Sequence, residues 1–353
     1  SRMKVSELSG VKEIARRANV SIATVDRVLH NRTGVAQKTK EKILSIIKEM
    51  DYKPNILAKR LASKRVYKFG ILIPKECSEA DQWNAPVSGI KEALSEFGDF
   101  GVDLRYYFFD MEDRLSFIEQ SEELLNKHID GVIVAPIFIN ETREFAAKCV
   151  ERRIQFVFIE SQIPKVHPLS YIGQDLIQSG RVVGHLCQYL IKPKDEILVV
   201  NVVREKDSIQ HLEEKIRGFE QYFLDSQYNC SIDSFNIEIN ENDEFSVFMD
   251  DYLLNKDPKL IYVTNSRAYI VANYLKSRGL DHIKLVGNGY HTKNIEFLKD
   301  GIIDFLICQK PLEQGYKAFL ALYEFFIAKR KVVKLQYMPI DIVTRENFQY
   351  YEN

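Results

Sequence analysis

No stretch of this 353-residue chain is apolar for the roughly 20 residues that a helix needs to span a bilayer, so no membrane partner is expected. Cysteine is scarce. The five, Cys77, Cys149, Cys187, Cys230 and Cys308, are scattered, odd in number and without a C-x-x-C pair, which argues against a disulfide framework and a zinc site and leaves buried free thiols. The seven histidines form no metal-binding pattern, so neither metal nor cofactor is expected. There is no G-x-x-x-x-G-K-[ST], no G-x-G-x-x-G opening a helix and no G-x-S-x-G. An α/β enzyme acting on a small sugar-like substrate, with an incidental basic N-terminus, is therefore only the alternative reading. The opening residues SRMKVSELSG lack the apolar core of a signal peptide, which points to the cytoplasm and away from a transport binding protein.

What is present begins with charge. Residues 1–65 hold 16 Lys and Arg against 6 Asp and Glu, a balance of +10, while the remainder holds 33 against 44, a balance of −11. The whole-chain value of −1 hides a basic end on an acidic body. Such an end draws phosphate through counterion release, and an acidic body of this size is held away from DNA.

Within the basic end, residues 11–18 and 21–29 read as two short helices separated by Asn19 and Val20. Ile14, Ala15, Ala18, Val20, Val25 and Val28 can face one another across them. Ser21 is placed to cap the second helix, its hydroxyl accepting a backbone N–H that has no helical partner. A third helix over about residues 38–50 carries Ile43, Ile46, Ile47 and Met50 on one face and closes a small core. In a helix-turn-helix of this kind the second helix enters the major groove with its N-terminal residues nearest the bases. Ile22, Ala23 and Arg27 are the expected readers, the first two by apolar contact with a thymine methyl and Arg27 by forking to guanine. The competing place for Ile22 is the core. Ser21, Thr24, Asn31, Arg32 and Lys38 are expected at phosphates. Beyond Pro54, Asn55 can cap a two-turn helix over residues 56–63, too short to be stable alone in water. Ala62 there allows close approach, and Lys59, Lys64 and Arg65 can meet phosphates.

The stretch VKEIARRANVSIATVDRVLHNRTGVAQKTKEKILSIIKEMDYKPNILAKRLAS resembles the headpiece and hinge of the lactose-repressor (LacI/GalR) family throughout its length. Two departures stand out: Asp26 replaces a small hydroxyl residue, and Ala36 replaces the Ser that caps the third helix. The resemblance implies that Ile22 and Ala23 hold the variable specificity positions. It also implies that paired hinge helices order on the operator and that Leu61 enters the minor groove, where an apolar wedge unstacks a base step and bends the duplex.

From Tyr67 onward, the runs KFGILIP, DGVIVAPI, IQFVFIE, EILVVNVV, KLIYVTN and IKLVGNG read as buried parallel strands, each followed by a helical segment such as residues 87–97 or 268–278, with VDLRYYFF between the first two. The pattern restarts near Tyr171 after SQIPKVHPLS, so two α/β lobes with a cleft at their strand ends are expected. The expected fold is a small all-α helix-turn-helix headpiece plus a two-lobed α/β domain with parallel sheets. The headpiece takes residues 1–53, the hinge 54–66 and the effector-binding and dimerisation domain 67–353. Its first lobe takes about 67–164 plus 310–335, and its second about 165–309 plus 336–353.

This body resembles the type I periplasmic-binding-protein fold that the LacI family carries, most clearly in FLICQKPLEQGYKAF. The resemblance implies effector contacts at Gln309, at the pair Gln82 and Trp83, at Glu160 and Ser161, and at Asn265 and Asn288. Trp83 is the sole tryptophan, suited to stacking on a sugar face, with a core position as its other reading. The family's Arg before Gly218 is missing, and Glu213, Glu214 and Lys215 stand there instead, of which Lys215 is included in the site. Ser161 stands where the family has an Arg, and Ser266 and Asn288 stand where it has Asp, so fewer fixed charges than usual remain, which favours a neutral sugar or sugar derivative, with Arg267 and Lys215 leaving room for an acid. The expected function is a regulator, a repressor by preference, that binds a palindromic operator as a homodimer. No leucine heptad follows MPIDIV, so a tetramer-forming helix is not expected.

Overall fold

The structure, a computed structural model, describes residues 2–29, 32–50, 52, 65–75, 83–98, 101–203, 210–239 and 244–351. The head is three helices, α1 (Arg2–Ala18), α2 (Ile22–Leu29) and α3 (Gln37–Glu49). Ile14, Ala15, Ala18, Val25, Val28, Ile43 and Ile46 form its buried core, the residues that the 3.6-residue period singles out. The turn between α1 and α2 passes through Asn19 in the left-handed region (φ 60°), which Asn tolerates better than most residues. The first helix is longer than the expected 11–18, because Gly10 does not stop it. The Tyr52 ring lies against Gly10, where an added Cβ would stand 2.5 Å from a ring carbon.

The body has two six-stranded sheets. The first contains β1 (Tyr67–Pro74), β2 (Val102–Phe109), β3 (Gly131–Val134), β4 (Gln155–Ile159), β5 (Ser170–Gly173) and β11 (Leu335–Tyr337), in the order β11-β5-β4-β3-β1-β2 and all parallel. The second contains β6 (Glu196–Val203), β7 (Ser231–Glu238), β8 (Pro258–Val263), β9 (Lys284–Asn288), β10 (Phe305–Cys308) and β12 (Asp341–Val343), in the order β12-β10-β9-β8-β6-β7, with β12 antiparallel. Helices cover both faces of each: α4 (Asn84–Ala93), α5 (Arg114–Leu125), α6 (Ile139–Glu151) and α12 (Pro311–Tyr323) on the first, and α7 (Leu176–Gln188), α8 (Gln210–Ser226), α9 (Glu244–Asn255), α10 (Ala268–Arg278) and α11 (Thr292–Lys299) on the second. Burial on both faces explains why the central strands read as unbroken apolar runs.

The lobe boundary differs from the expected residue 164. Ser170–Gly173, read as the start of the second lobe, pairs in parallel with β4 and is the fifth strand of the first sheet. The chain therefore changes sheet at Gln174, again at Gln309 and Lys310 after β10, and a third time at Met338, Pro339 and Ile340 between β11 and β12. Four residues following an irregular stretch carry too little periodicity to be recognised as a strand. Edge strand β7 went unrecognised for another reason: most of its side chains are exposed or half-buried, and its sequence SIDSFNIE is polar.

Each lobe contains one helix crossing in which main chains touch. An added Cβ on Gly89 would lie 1.9 Å from the Leu312 carbonyl oxygen and one on Gly315 2.0 Å from that of Pro86, which locks α4 to α12. Gly218 and Gly180 stand in the same relation, 1.9 Å from the Ile177 oxygen and 2.0 Å from the Lys215 oxygen, which locks α7 to α8. Only glycine permits these approaches.

Candidate functional site

Ser21 precedes α2, and its Oγ accepts the Thr24 N–H at 3.1 Å and meets the Thr24 hydroxyl at 2.9 Å. This is the N-cap that the sequence calls for. The cap aims the first turn of α2 outward: Ile22 is 46% exposed, outside the core, and Ala23 and Arg27 are exposed beside it. Arg32 and Lys38 are exposed as well. Asp26, the departure that puts negative charge on this face, pairs with Arg32 at 3.5 Å, so the two side chains offset one another at the surface. Ala36 precedes α3 with an extended backbone and no side-chain cap. Asn31, Asn55, Lys59, Leu61, Ala62, Lys64 and Gln82 lie outside the described residues.

The second cluster lies where the lobes meet. Glu160 follows β4 in the left-handed region (φ 71°), a conformation that strains a non-glycine residue and recurs at functional sites. Its carboxylate accepts from the Gln309 amide nitrogen, and its backbone N–H donates to Gln314 Oε1 at 2.9 Å. Gln314 in turn donates to the Gln309 carbonyl at 2.9 Å. Burial pushes the Glu160 carboxyl up to about 7, against the opposing pull of the Lys215 charge and the Gln309 bond.

Lys215 is the residue of its acidic trio that turns inward, while Glu213 is exposed and Glu214 half-buried. Its ammonium donates to the Thr264 carbonyl at 3.1 Å and to Asn288 Oδ1 at 3.2 Å, and burial pushes it down to about 8 although Glu160 favours its charge. Asn288 donates to the Val263 carbonyl at 2.9 Å. Asn265 donates to the Val202 carbonyl at 2.5 Å. Arg267 donates to the same carbonyl at 3.1 Å and reaches Glu112 of the first lobe at 3.5 Å. Thus Glu160 with Gln309 on one side and Lys215 with Asn288 on the other form two hydrogen-bonded pairs, the charge of Lys215 acting on Glu160, with Ser161 buried next to Glu160.

Trp83 takes its other reading. It is 4% exposed and belongs to the first lobe's core with Ile73, Ile90 and Phe319, and its Nε1 has no hydrogen-bond partner among the described residues. Gln309 Oε1 is likewise buried without a partner. An unpaired buried donor or acceptor costs about 1–3 kcal/mol. Sequence reasoning missed Thr264, whose contribution is a backbone carbonyl, and Tyr171 and Gln174, which carry no pattern; Gln314 lies within FLICQKPLEQGYKAF but was given no role. Asn294 was missed too; it donates to the Ser266, Asn288 and Gly289 carbonyls at 3.1, 2.9 and 3.1 Å and fixes the β9 end.

Among the described residues no three His, Cys, Asp or Glu side chains gather as a metal site, and no helix is long and apolar enough to cross a membrane. Cys149, Cys187 and Cys308 are buried free thiols and Cys230 is half-buried.

Residues 69–330 match the family described as periplasmic binding protein domain, and residues 10–55 match that described as bacterial regulatory proteins, lacI family. The HTH-type transcriptional regulator RegA of Clostridium saccharobutylicum is 36% identical over 125 residues, 35% of this chain and 36% of that protein. This chain spans 36 to 40% of the length of the first curated relatives it matches. Among solved structures, a putative LacI transcriptional regulator from Bacteroides fragilis is 31% identical, with a TM-score of 0.76 over 82% of this chain and 100% of that one. An ABC transporter solute-binding protein from Burkholderia graminis, solved with D-arabinose, shares the fold at 17% identity, with a TM-score of 0.70 over 82% of this chain and 99% of that one. RegA and the Bacteroides protein carry the names of regulators, and the Burkholderia protein that of a binding protein. With its capped and outward-facing α2, its two-lobed body and these matches along both parts, the chain belongs to the lacI family of bacterial regulatory proteins and has a periplasmic-binding-protein domain as its body.

Proposed function

We propose that the chain is a ligand-responsive DNA-binding transcriptional regulator, a repressor in its simplest form, controlled from the cleft by a small neutral sugar or sugar derivative. The observation that carries this reading is the joining, in one chain, of an exposed basic helix-turn-helix face to a cleft where Glu160 and Lys215 from opposite lobes converge. A hydroxyl can donate to a carboxylate and accept from an ammonium at once, and the two charges cancel, which favours a ligand without net charge. Arg267, committed to Glu112 and the Val202 carbonyl, is the weaker claim on an acid.

The regulator acts in the cytoplasm as a homodimer on a palindromic operator, since a minor-groove wedge at Leu61 works only with a two-fold partner. On the edge strand β2, Tyr106 and Phe108 stand exposed and stacked at 5.6 Å, an apolar patch of the kind that pairing covers.

Selection of bound duplexes from a random pool, followed by fluorescence anisotropy, tests the DNA half. Arg27→Ala is expected to cost about 1–3 kcal/mol and relax preference at one base pair, whereas Lys38→Ala weakens all sequences alike and lowers the salt slope by about one. Leu61→Ala is expected to weaken specific binding by a few kcal/mol or less and leave the cleft unchanged. Failure of the wild type to prefer any duplex would refute the reading. For the cleft, Trp83 fluorescence is followed with D-arabinose, D-ribose, D-glucose and D-galactose against their aldonates. Saturable shifts with aldonates alone would overturn the neutral class.

A further inference from the structure

The three passages of chain between the lobes meet at one side chain. Gln174, at the first crossing, is 2% exposed, and its single amide nitrogen donates to the Cys308 carbonyl at 2.9 Å and to the Pro339 carbonyl at 3.1 Å. Cys308 closes the strand before the second crossing, and Pro339 lies in the third. The Gln174 carbonyl accepts from the Tyr171 hydroxyl at 2.7 Å, and the same hydroxyl lies 3.3 Å from the carbonyl of Glu160. Glu160 in turn holds Gln309 at the second crossing.

We propose that Gln174 is the positioning residue of the interlobe hinge: its amide ties the three crossings into one unit, so that the lobes turn about a common axis and do not shear. An –NH2 group has two N–H bonds at a fixed angle, so the two carbonyls must flank it, and no other residue of similar length offers two such donors without charge. Neither carbonyl can be left buried and unpaired without cost. The consequence for regulation rests on the effector-responsive reading above: a ligand drawn to Glu160 acts on a body bonded to the second crossing directly, through Gln309, and to the first and third through Tyr171 and Gln174. A two-state lobe orientation biased from one site is what allosteric control requires.

The test uses the full chain without ligand. Hydrogen exchange by mass spectrometry is compared among the wild type, Gln174→Met and Tyr171→Phe, with small-angle scattering on the same samples. Exchange about tenfold faster over residues 308–311 and 338–340 is expected in Gln174→Met, and a smaller rise at the same places in Tyr171→Phe, with β3 and β6 unchanged. Scattering should give a broader distribution of intramolecular distances, which a buried amide of merely structural role would not alter even as it lowered the melting temperature. Unchanged exchange and unchanged scattering overturn the proposal. If Gln174→Met loosens every strand, Tyr171→Phe decides: faster exchange confined to the crossings supports the hinge role, and none refutes it. Loss of operator preference in the wild type would remove the regulator reading and leave the exchange result standing.

Discussion

Arg267, just beyond β8 of the second lobe, reaches the carboxylate of Glu112, just beyond β2 of the first, at 3.5 Å. It is an ion pair between lobes at the cleft. Arg267 is 15% exposed and Glu112 32%, so water screens the pair in part and its contribution is modest. A double-mutant cycle of Arg267→Ala and Glu112→Gln, read by urea unfolding, is expected to give a coupling of about 0.5–1.5 kcal/mol. A coupling indistinguishable from zero would mean that the lobes are not tied there.

The Glu160 carboxyl, lifted from 4.5 to about 7 by burial, binds its proton more tightly in the folded protein. Its contribution to stability is therefore fully present below about 4.5 and lost as pH rises through about 7. Lys215, pushed from 10.5 down to about 8, acts in the other direction: its cost persists below about 8 and is relieved as pH climbs toward 10.5. The pair thus places a shallow stability minimum between the two. Glu160→Gln removes the acid arm, so the wild type should lose about 2 kcal/mol relative to the variant between about pH 5 and pH 7.5. Parallel melting curves across that window would contradict the assignment.

Gly218→Ala puts a methyl 1.9 Å from the Ile177 carbonyl, and backbone cannot step aside as a side chain would. The expected loss is about 1–3 kcal/mol in urea unfolding as α7 and α8 part. Because Lys215 rides on α8 one turn earlier, Trp83 fluorescence titrations should show weaker binding of the proposed sugar effector too. Unaltered stability would mean that the crossing relaxes freely.

At the other end of the chain, Ala36→Ser is expected to stabilise the head by about 1 kcal/mol, since the residue already has the extended backbone of an N-cap and lacks only the hydroxyl. Calorimetry of the full chain should show the head's transition move upward; a downward move would mean that a neighbour already serves α3.

How much of this was legible depended on burial. The head core was readable from Ile14 to Ile46 because each apolar residue recurs at helical spacing. Strands β1 and β6 were readable because both faces are covered, whereas β5, with only four residues, gave no period and shifted the expected lobe boundary. Sequence could place Glu213, Glu214 and Lys215 near the cleft and include Lys215 in the site, but it could not show which of them turns inward, since that depends on the rotation of α8 that Gly180 and Gly218 impose. Trp83 was pulled toward the ligand by resemblance, and its surroundings, Ile73 and Phe319 among them, come from segments far apart in the chain.

The glycine crossings carry an evolutionary consequence. The residues that face the cleft hang from a frame clamped by main chain against main chain, so a new ligand preference requires no retuning of the frame. Descendants of this chain should diversify at positions 160, 215, 288 and 309 while positions 89, 180, 218 and 315 stay glycine, and a designer choosing where to randomise would draw the same line.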